Sequence, residues 1–520
     1  MRRGSSPAGL LGLVLVAACG TTVPTGQQQA GQVADGTSGT VAPGQAGVGS
    51  LGAPRPGLGA GSSGSASTDG PVSRNATGGT AQQAGGVAGT GPTSSTPGTL
   101  ATKGFGWDTG TISLGFVSQE DQATVIRSLG VNLNPGSVQR QAKAVVDDLN
   151  ARGGLFGRKL QAVFHDNGTM QSASDPSGTA QLNCAQFTQD TPVVAVFNNN
   201  TSLEAPNLLQ CLKKKGLPYF SDGFSTFDAR TYATYSPSLR TVSAPDLDAF
   251  TAAFVPELKA IGYLGGWNTT TAQPASTPAK VGLLEPDTEI GHVTAQFLLR
   301  LFKRQGTVTA PPYFYSPNPS QMTSDMQSAV LQFRQSGVTH MIDITNVAAP
   351  LLFFASAAQQ QNYYPRWGMT SWTLPQLAVN TLTQEGTQKQ LTGSMGVGWV
   401  PAVDTDGAHD VADTPARKHC REIMTKAGEA ITGDNNRYAL ANAYALCDAV
   451  EVFVAAAKRA GSLSLAVLTP ALRSVPSSLS SRATFGYRDG TPALPARYRA
   501  LAYHAECACY DYQGATGSFG

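Results

Sequence analysis

The stretch Asn150-Ala-Arg-Gly-Gly-Leu-Phe-Gly-Arg-Lys-Leu160 joins a helical pattern to a strand. Upstream of it, Ala142, Val145, Val146 and Leu149 recur at helical spacing and so line one face. Gly153 and Gly154 stop that helix, because glycine tolerates the left-handed dihedrals of a C-terminal cap. Gly157 permits a second bend before the apolar run from Lys159 to His165, which ends at Asp166. A helix that turns at once into a strand is half of an α/β repeat.

The pattern extends in both directions. Strands are expected at 112–117, 159–165, 193–197 and 217–221, with helices at 136–153, 176–187 and 202–215. Four strands alternating with helices imply a parallel sheet covered on both faces. Ser118 to Pro135 reads as a long loop. The rhythm restarts with helices at 246–261, 292–305, 321–335 and 348–360, and strands at 281–285, 312–315, 338–344 and 364–370. The last third is mixed: a strand-like 391–400, a polar loop 401–414, a long helix 435–460 and β segments at 484–487 and 498–512. Leu440, Tyr444, Cys447, Val450 and Val454 form the buried stripe of that helix. The expected fold class is α/β, with two doubly wound parallel-sheet lobes in tandem.

The wording of the opening turn resembles the type I periplasmic binding proteins, the branched-chain amino-acid receptor family. Its members carry a helix ending in Asn-Ala, then Gly-Gly, an apolar residue, and Gly-Arg before a strand with a terminal Asp. The Ala441-Asn-Ala-Tyr-Ala445 start of the long helix is similar to the family helix that packs beside the hinge. The resemblance runs from about Thr111 to the end, strongest at 140–223 and weakest at 401–435. It implies an N-terminal lobe of 104–240 plus about 373–475, a C-terminal lobe of 241–372 plus about 476–520, and a multi-strand hinge.

The segment before residue 104 reads differently. Arg2, Arg3 and the apolar run Leu10 to Val16 form a signal sequence, too short to span a bilayer, which takes about 20 apolar residues. Val16-Ala17-Ala18-Cys19 resembles the bacterial lipobox, which implies cleavage after residue 18 and lipidation of Cys19. A plain secretory signal is the alternative. Residues 19–103 are rich in Gly, Ser, Thr and Pro with almost no large apolar side chains, and cannot bury enough surface to offset chain entropy. A disordered tether of that length reaches about 50 Å. Charged residues make up 13% of the chain and the net charge is +2, so no concentrated basic face marks a nucleic-acid partner.

Setting Cys19 aside leaves six of the seven cysteines, an even number that suggests disulfides in an exported chain. Cys184 pairs with Cys211 and Cys420 with Cys447, each closing a local loop; the first resembles a disulfide of the branched-chain receptors. Cys507 and Cys509 bond each other or lie free. A metal site is the rival reading, but no Cys-x-x-Cys pair or clustered histidine accompanies them in sequence, so none is expected.

In open α/β sheets, ligands bind beyond the carboxyl ends of strands. The candidate contacts of the first lobe are Ser118 and Gln119, then Asn198, Asn199, Asn200, Thr201 and Ser202, then Asp222, Gly223, Phe224 and Ser225. Those of the second are Asp287, Thr288, Glu289, Ile290, Thr345, Asn346 and Trp372. The Asn199 to Ser202 run offers amides and hydroxyls where a helix begins, which suits a carboxylate and equally suits a plain cap. Phe224, Phe227 and Trp372 would wall the cleft, and Asp287 and Glu289 would receive an ammonium. Two departures from the family stand out: the long loop after the first strand lacks the usual short glycine turn, and Ile290 replaces a Tyr that often contacts amino-acid ligands.

No Gly-x-Ser-x-Gly elbow lies in the folded region, no His-Glu-x-x-His occurs, and the six histidines are scattered. The resemblance therefore implies a non-enzymatic lipoprotein without a cofactor. It would capture a small polar ligand, an amino acid, amide or related compound, and deliver it to an ABC-type permease. The alternative is a sensing or wall-associated receptor of the same fold.

Overall fold

Ser137 opens the helix Val138–Ala151 by accepting a hydrogen bond from the Arg140 N–H. At the other end Gly153 and Gly154 take positive φ of 96° and 67°. A Cβ on Gly154 would lie 2.0 Å from the Arg158 carbonyl oxygen, so the turn closes only around glycine. The Asn150 side chain completes the joint: its Nδ2 donates to the Leu160 carbonyl at 2.9 Å, and its Oδ1 accepts from the Leu160 N–H at 2.7 Å. That pairing welds the helix end to the strand it feeds. The computed structural model describes residues 100–520 except 129–130, 199–205, 222–224, 345–347, 475–478 and 480.

The strand so launched, β2 (Lys159–Asp166), pairs with β1 (Thr111–Ser118) over its full length. With β3 (Val196–Asn198), β4 (Tyr219–Ser221) and β5 (Leu239–Thr241) they form a parallel sheet in the order β2-β1-β3-β4-β5. A short hairpin, β6 (Trp267–Asn268) and β7 (Gln273–Pro274), lies between the two sheets in sequence. The second sheet contains β8 (Lys280–Pro286), β9 (Val308–Thr309), β10 (Tyr313–Tyr315), β11 (His340–Ile342), β12 (Arg366–Thr370) and β13 (Met395–Gly398). Its order β10-β8-β11-β12-β13 repeats the first sheet strand for strand. It then continues antiparallel into β14 (Arg497–His504) and β15 (Cys509–Ser518).

The chain passes between the sheets three times: after β5, after β13, and before β14. Trp399, just beyond β13, donates its indole N–H to the Ser243 carbonyl at 2.8 Å and ties two of these crossings together. In the second crossing the short helix Pro401–Asp404 brings the Asp404 carboxylate against Gly398, where any Cβ would sit 2.4 Å from it. Ser371 Oγ (2.9 Å), the Val400 N–H (3.0 Å) and Tyr512 Oη (2.5 Å) all donate to that carboxylate. Burial nevertheless pushes its pKa up to about 7.

This topology corrects the expected division of the chain. Residues 395–398 belong to the second sheet, and the helix Pro375–Gln384 packs on the helix Ala349–Gln360 and on β15. Thr241 exchanges backbone hydrogen bonds with Pro492 and Leu494, so residues 492–494 extend the first sheet rather than the second. Both shifts have one cause. The sheet that a short strand joins is decided by its partners' backbone, which periodicity along the chain does not reveal. The expected strand at 484–487 reduces to one bridge, Tyr487 to Pro495, and the long loop after β1 carries a helix, Gln122–Ser128.

Three tryptophans, Trp367, Trp372 and Trp399, are fully buried in the second lobe. Phe250 meets Trp372 and Trp399 at ring separations of 4.7 and 5.2 Å. Cys184–Cys211 and Cys420–Cys447 are joined as expected, the first linking the helices Pro176–Ala185 and Pro206–Lys215, the second linking Pro415–Lys426 and Arg437–Ala460. Cys507 and Cys509 are also joined. The helix Arg437–Ala460 is apolar and long enough to cross a membrane, yet it is enclosed by the protein as a core element.

Candidate functional site

In a strand order of this kind the crossovers leave β1 in opposite directions, toward β2 and toward β3. The crevice beyond the carboxyl ends of β1 and β3 is where such sheets take ligands. The repeat of the order gives the second lobe an equivalent point between β8 and β11.

On the first rim, β1 ends in Ser118 and β3 in Asn198, both buried. Ser118 Oγ donates to Asp166 Oδ1 at 2.9 Å and accepts from Gln139 Nε2 at 3.2 Å. The Glu120 N–H donates to the same Asp166 oxygen at 3.0 Å. Asp121 accepts from Thr169 through its N–H (3.0 Å) and hydroxyl (2.6 Å). The loops after β1 and β2 are therefore held to each other by carboxylates. Asn198 Nδ2 donates to Tyr219 Oη at 2.8 Å, which fixes the amide at the mouth of β3. Gln119, Ser221 and Ser225 are buried on the same rim.

On the second rim, Thr288 caps the helix Glu289–Arg304 by accepting the Gly291 N–H at 3.2 Å. A Cβ on Gly291 would lie 2.1 Å from the Pro286 carbonyl oxygen, so the helix approaches β8 this closely only with glycine there. Asp287 is exposed and contacts His292 Nε2 at 2.8 Å. Glu289 is exposed, and Ile290 is half-buried against the core.

The loop after β1 and the helix after β12 meet near the start of the long helix. Asn132 and Leu133, downstream of β1, line a small crevice of about 10 Å³ with Leu374, Leu377 and Asn380, downstream of β12, and with Tyr438 at the start of the long helix. Asn380 Nδ2 donates to the Asp434 carbonyl at 3.3 Å, and Asn134 Nδ2 to Asn436 Oδ1 at 2.7 Å, so the 434–438 segment bridges both sides.

The sequence-predicted residues separate into three groups. Ser118, Gln119, Asn198, Ser225, Asp287, Thr288, Glu289 and Ile290 lie at strand ends or the loops beyond them. Asn199, Asn200, Thr201, Ser202, Asp222, Gly223, Phe224, Thr345 and Asn346 fall outside the described residues, as does Cys19. Trp372 is corrected: it has no exposed surface and packs between Phe250 and Trp399, because the turn Ser371–Thr373 points it inward. Phe227 is likewise buried, edge-on to Tyr232. Sequence reasoning missed Asp166 and Gln139 as the anchors of Ser118; an acid closing β2 was the readable signal. It also expected no histidine near Cys507 and Cys509. The fold brings His409 beside them, with its Nε2 3.9 Å from Cys509 Sγ.

Two α/β lobes of one topology, joined by three crossings and each with its own switch point, define a two-lobed fold of the binding-protein kind. Residues 134–499 match the Periplasmic binding protein family, and the chain belongs to that family. Membership carries an extracytoplasmic, solute-binding role. No curated protein matches the chain by sequence. Among solved structures, a possible leucine/isoleucine/valine-binding protein from Rhodopirellula baltica SH 1 is 17% identical, with a TM-score of 0.53, over 79% of this chain and 96% of that one. A branched chain amino acid ABC transporter protein from Thermus thermophilus with bound valine is 14% identical, with a TM-score of 0.55, over 78% and 96%. A solute binding protein from R. palustris in complex with 4-hydroxybenzoate is 13% identical, with a TM-score of 0.56, over 78% and 97%.

Proposed function

We propose that the chain captures a small polar ligand, an amino acid, amide or related carboxylate-bearing compound, between its lobes and delivers it to an ABC-type permease. The observation that carries this reading is the paired switch point: the same strand order occurs twice, which gives each lobe a carboxyl rim of the kind that takes ligands. The described rim residues support it, since Ser118 and Asn198 are buried and held in fixed orientations by hydrogen bonds. A pre-set polar rim loses little side-chain entropy when a ligand binds. The proposed contacts include Asn199 to Ser202, Asp222 to Ser225, Thr345 and Asn346. Two similar folds carry valine and 4-hydroxybenzoate, both of which present a carboxylate. Cys19 is the proposed lipid anchor, with residues 20–103 as its tether.

Thermal unfolding against a panel of amino acids, amides, short peptides, nucleobases and aromatic carboxylates tests the reading. A true ligand at 100 times its dissociation constant stabilises by about 2.7 kcal/mol. A panel in which no compound raises the midpoint contradicts the reading.

A further inference from the structure

Away from the crevice, the turn between β14 and β15 holds Cys507 and Cys509 two residues apart, and the loop after the second crossing brings His409 to them. Both Sγ atoms and a His409 ring nitrogen lie within 4.8 Å of one another. The imidazole is oriented from behind. Its Nδ1 sits 2.7 Å from Asp406 Oδ1, and the same oxygen accepts the His409 backbone N–H at 2.8 Å. With Nδ1 engaged, Nε2 is the nitrogen that faces the sulfurs. A carboxylate behind a histidine is the arrangement that fixes tautomer and ring direction at metal sites. A disulfide in a hairpin turn requires no such imidazole. Cys507 is exposed and gives an entry path, whereas Cys509 is buried.

We propose that Cys507, Cys509 and His409 form a redox-gated site for a thiophilic divalent cation of the Zn²⁺ class, shut while the Cys507–Cys509 bridge is intact. Opening it consumes a dithiol. Two electrons and two protons pass to the bridge, its S–S bond breaks to give two thiols, and the dithiol closes to its own disulfide. Zn²⁺ then displaces the two thiol protons, giving two thiolates and one imidazole with a fourth position for water. The bound ion would tie the loop after the second crossing to the terminal hairpin. The pair is more accessible to reduction than Cys420–Cys447, since Cys420 and Cys447 are both buried.

Cobalt titration of the full exported chain tests this, because a thiolate–cobalt charge-transfer band reports sulfur ligation directly. After mild dithiothreitol treatment and its removal, the chain is expected to take one Co²⁺ with that band, and Zn²⁺ is expected to abolish it. The untreated chain should show no band. The Cys507→Ser/Cys509→Ser chain, which keeps the other disulfides, should show none after the same treatment. Asp406→Asn should weaken cobalt binding about 10–100-fold, and His409→Ala at least as much, at unchanged melting temperature of the metal-free chains. A band that persists in the double serine chain, or equal affinity in His409→Ala, overturns the site.

Discussion

The two lobes share a strand order but are held together by different means. The first carries both helix-to-helix disulfides, Cys184–Cys211 and Cys420–Cys447. The second carries the three fully buried tryptophans and two added antiparallel strands. Among the described residues its one bridge lies in the turn of that added hairpin. One topology is thus compatible with cross-links that restrict the unfolded chain and with bulky aromatic packing. The hairpin also does something the first lobe cannot. It returns Tyr512 to Asp404 and so secures a crossing from the second-lobe side.

The largest expected effect comes from the aromatic side of this contrast. Trp399→Ala removes a packed indole and its bond to Ser243, and should cost about 3–5 kcal/mol in urea unfolding. A loss below about 1 kcal/mol would show that the second lobe does not depend on this cluster. Removing Cys184–Cys211 by paired serine substitution should cost about 3.5 kcal/mol in the loop-entropy account, for a bridge spanning 27 residues. Because the buried tryptophans sit in the other lobe, the midpoint followed by tryptophan fluorescence should move less than that followed by far-ultraviolet circular dichroism. Equal shifts by both probes would mean that the lobes unfold as one unit.

A third effect is pH-dependent and lies at the crossing. The pKa of Asp404 is raised by burial to about 7, from an ordinary value of 3.8. A carboxyl raised in the folded state adds stability that is complete below its unfolded value and is lost as pH rises through the folded one. The stability difference between the parent chain and Asp404→Asn should therefore shrink by about 2–4 kcal/mol between pH 4 and pH 8. A flat difference over that range would place the carboxyl in a wetter setting. The smallest effect is on the first rim. Tyr219→Phe removes the partner of Asn198 and should cost about 1 kcal/mol while weakening ligand binding. Unchanged affinity would remove Asn198 from the rim's polar surface.

Much of the fold was legible because α/β units write themselves into local pattern. The Gly153-Gly154 stop and the apolar run after it gave the first half-repeat, and the structure adds only the Asn150 weld that sequence pattern alone does not display. The three-residue β5 was not legible, and β13 was read as a strand but not assigned to the second sheet, where it pairs with β12 and β14. Rim positions followed from strand ends, and Ser118, Asn198 and Thr288 do lie at the ends of β1 and β3 and at the cap of the helix after β8. Orientation did not follow, and Trp372, two residues beyond β12, turned into the core. His409 lies about a hundred residues from Cys509 in sequence, and no spacing rule links them.

Hydrogen–deuterium exchange on the chain, with and without the compound that raises its melting point, tests the two-rim clamp most directly. The account predicts slower exchange at the carboxyl ends of β1 and β3 together with those of β8 and β11, all saturating at one ligand concentration. Protection confined to a single lobe, or centred on the terminal hairpin, would contradict it.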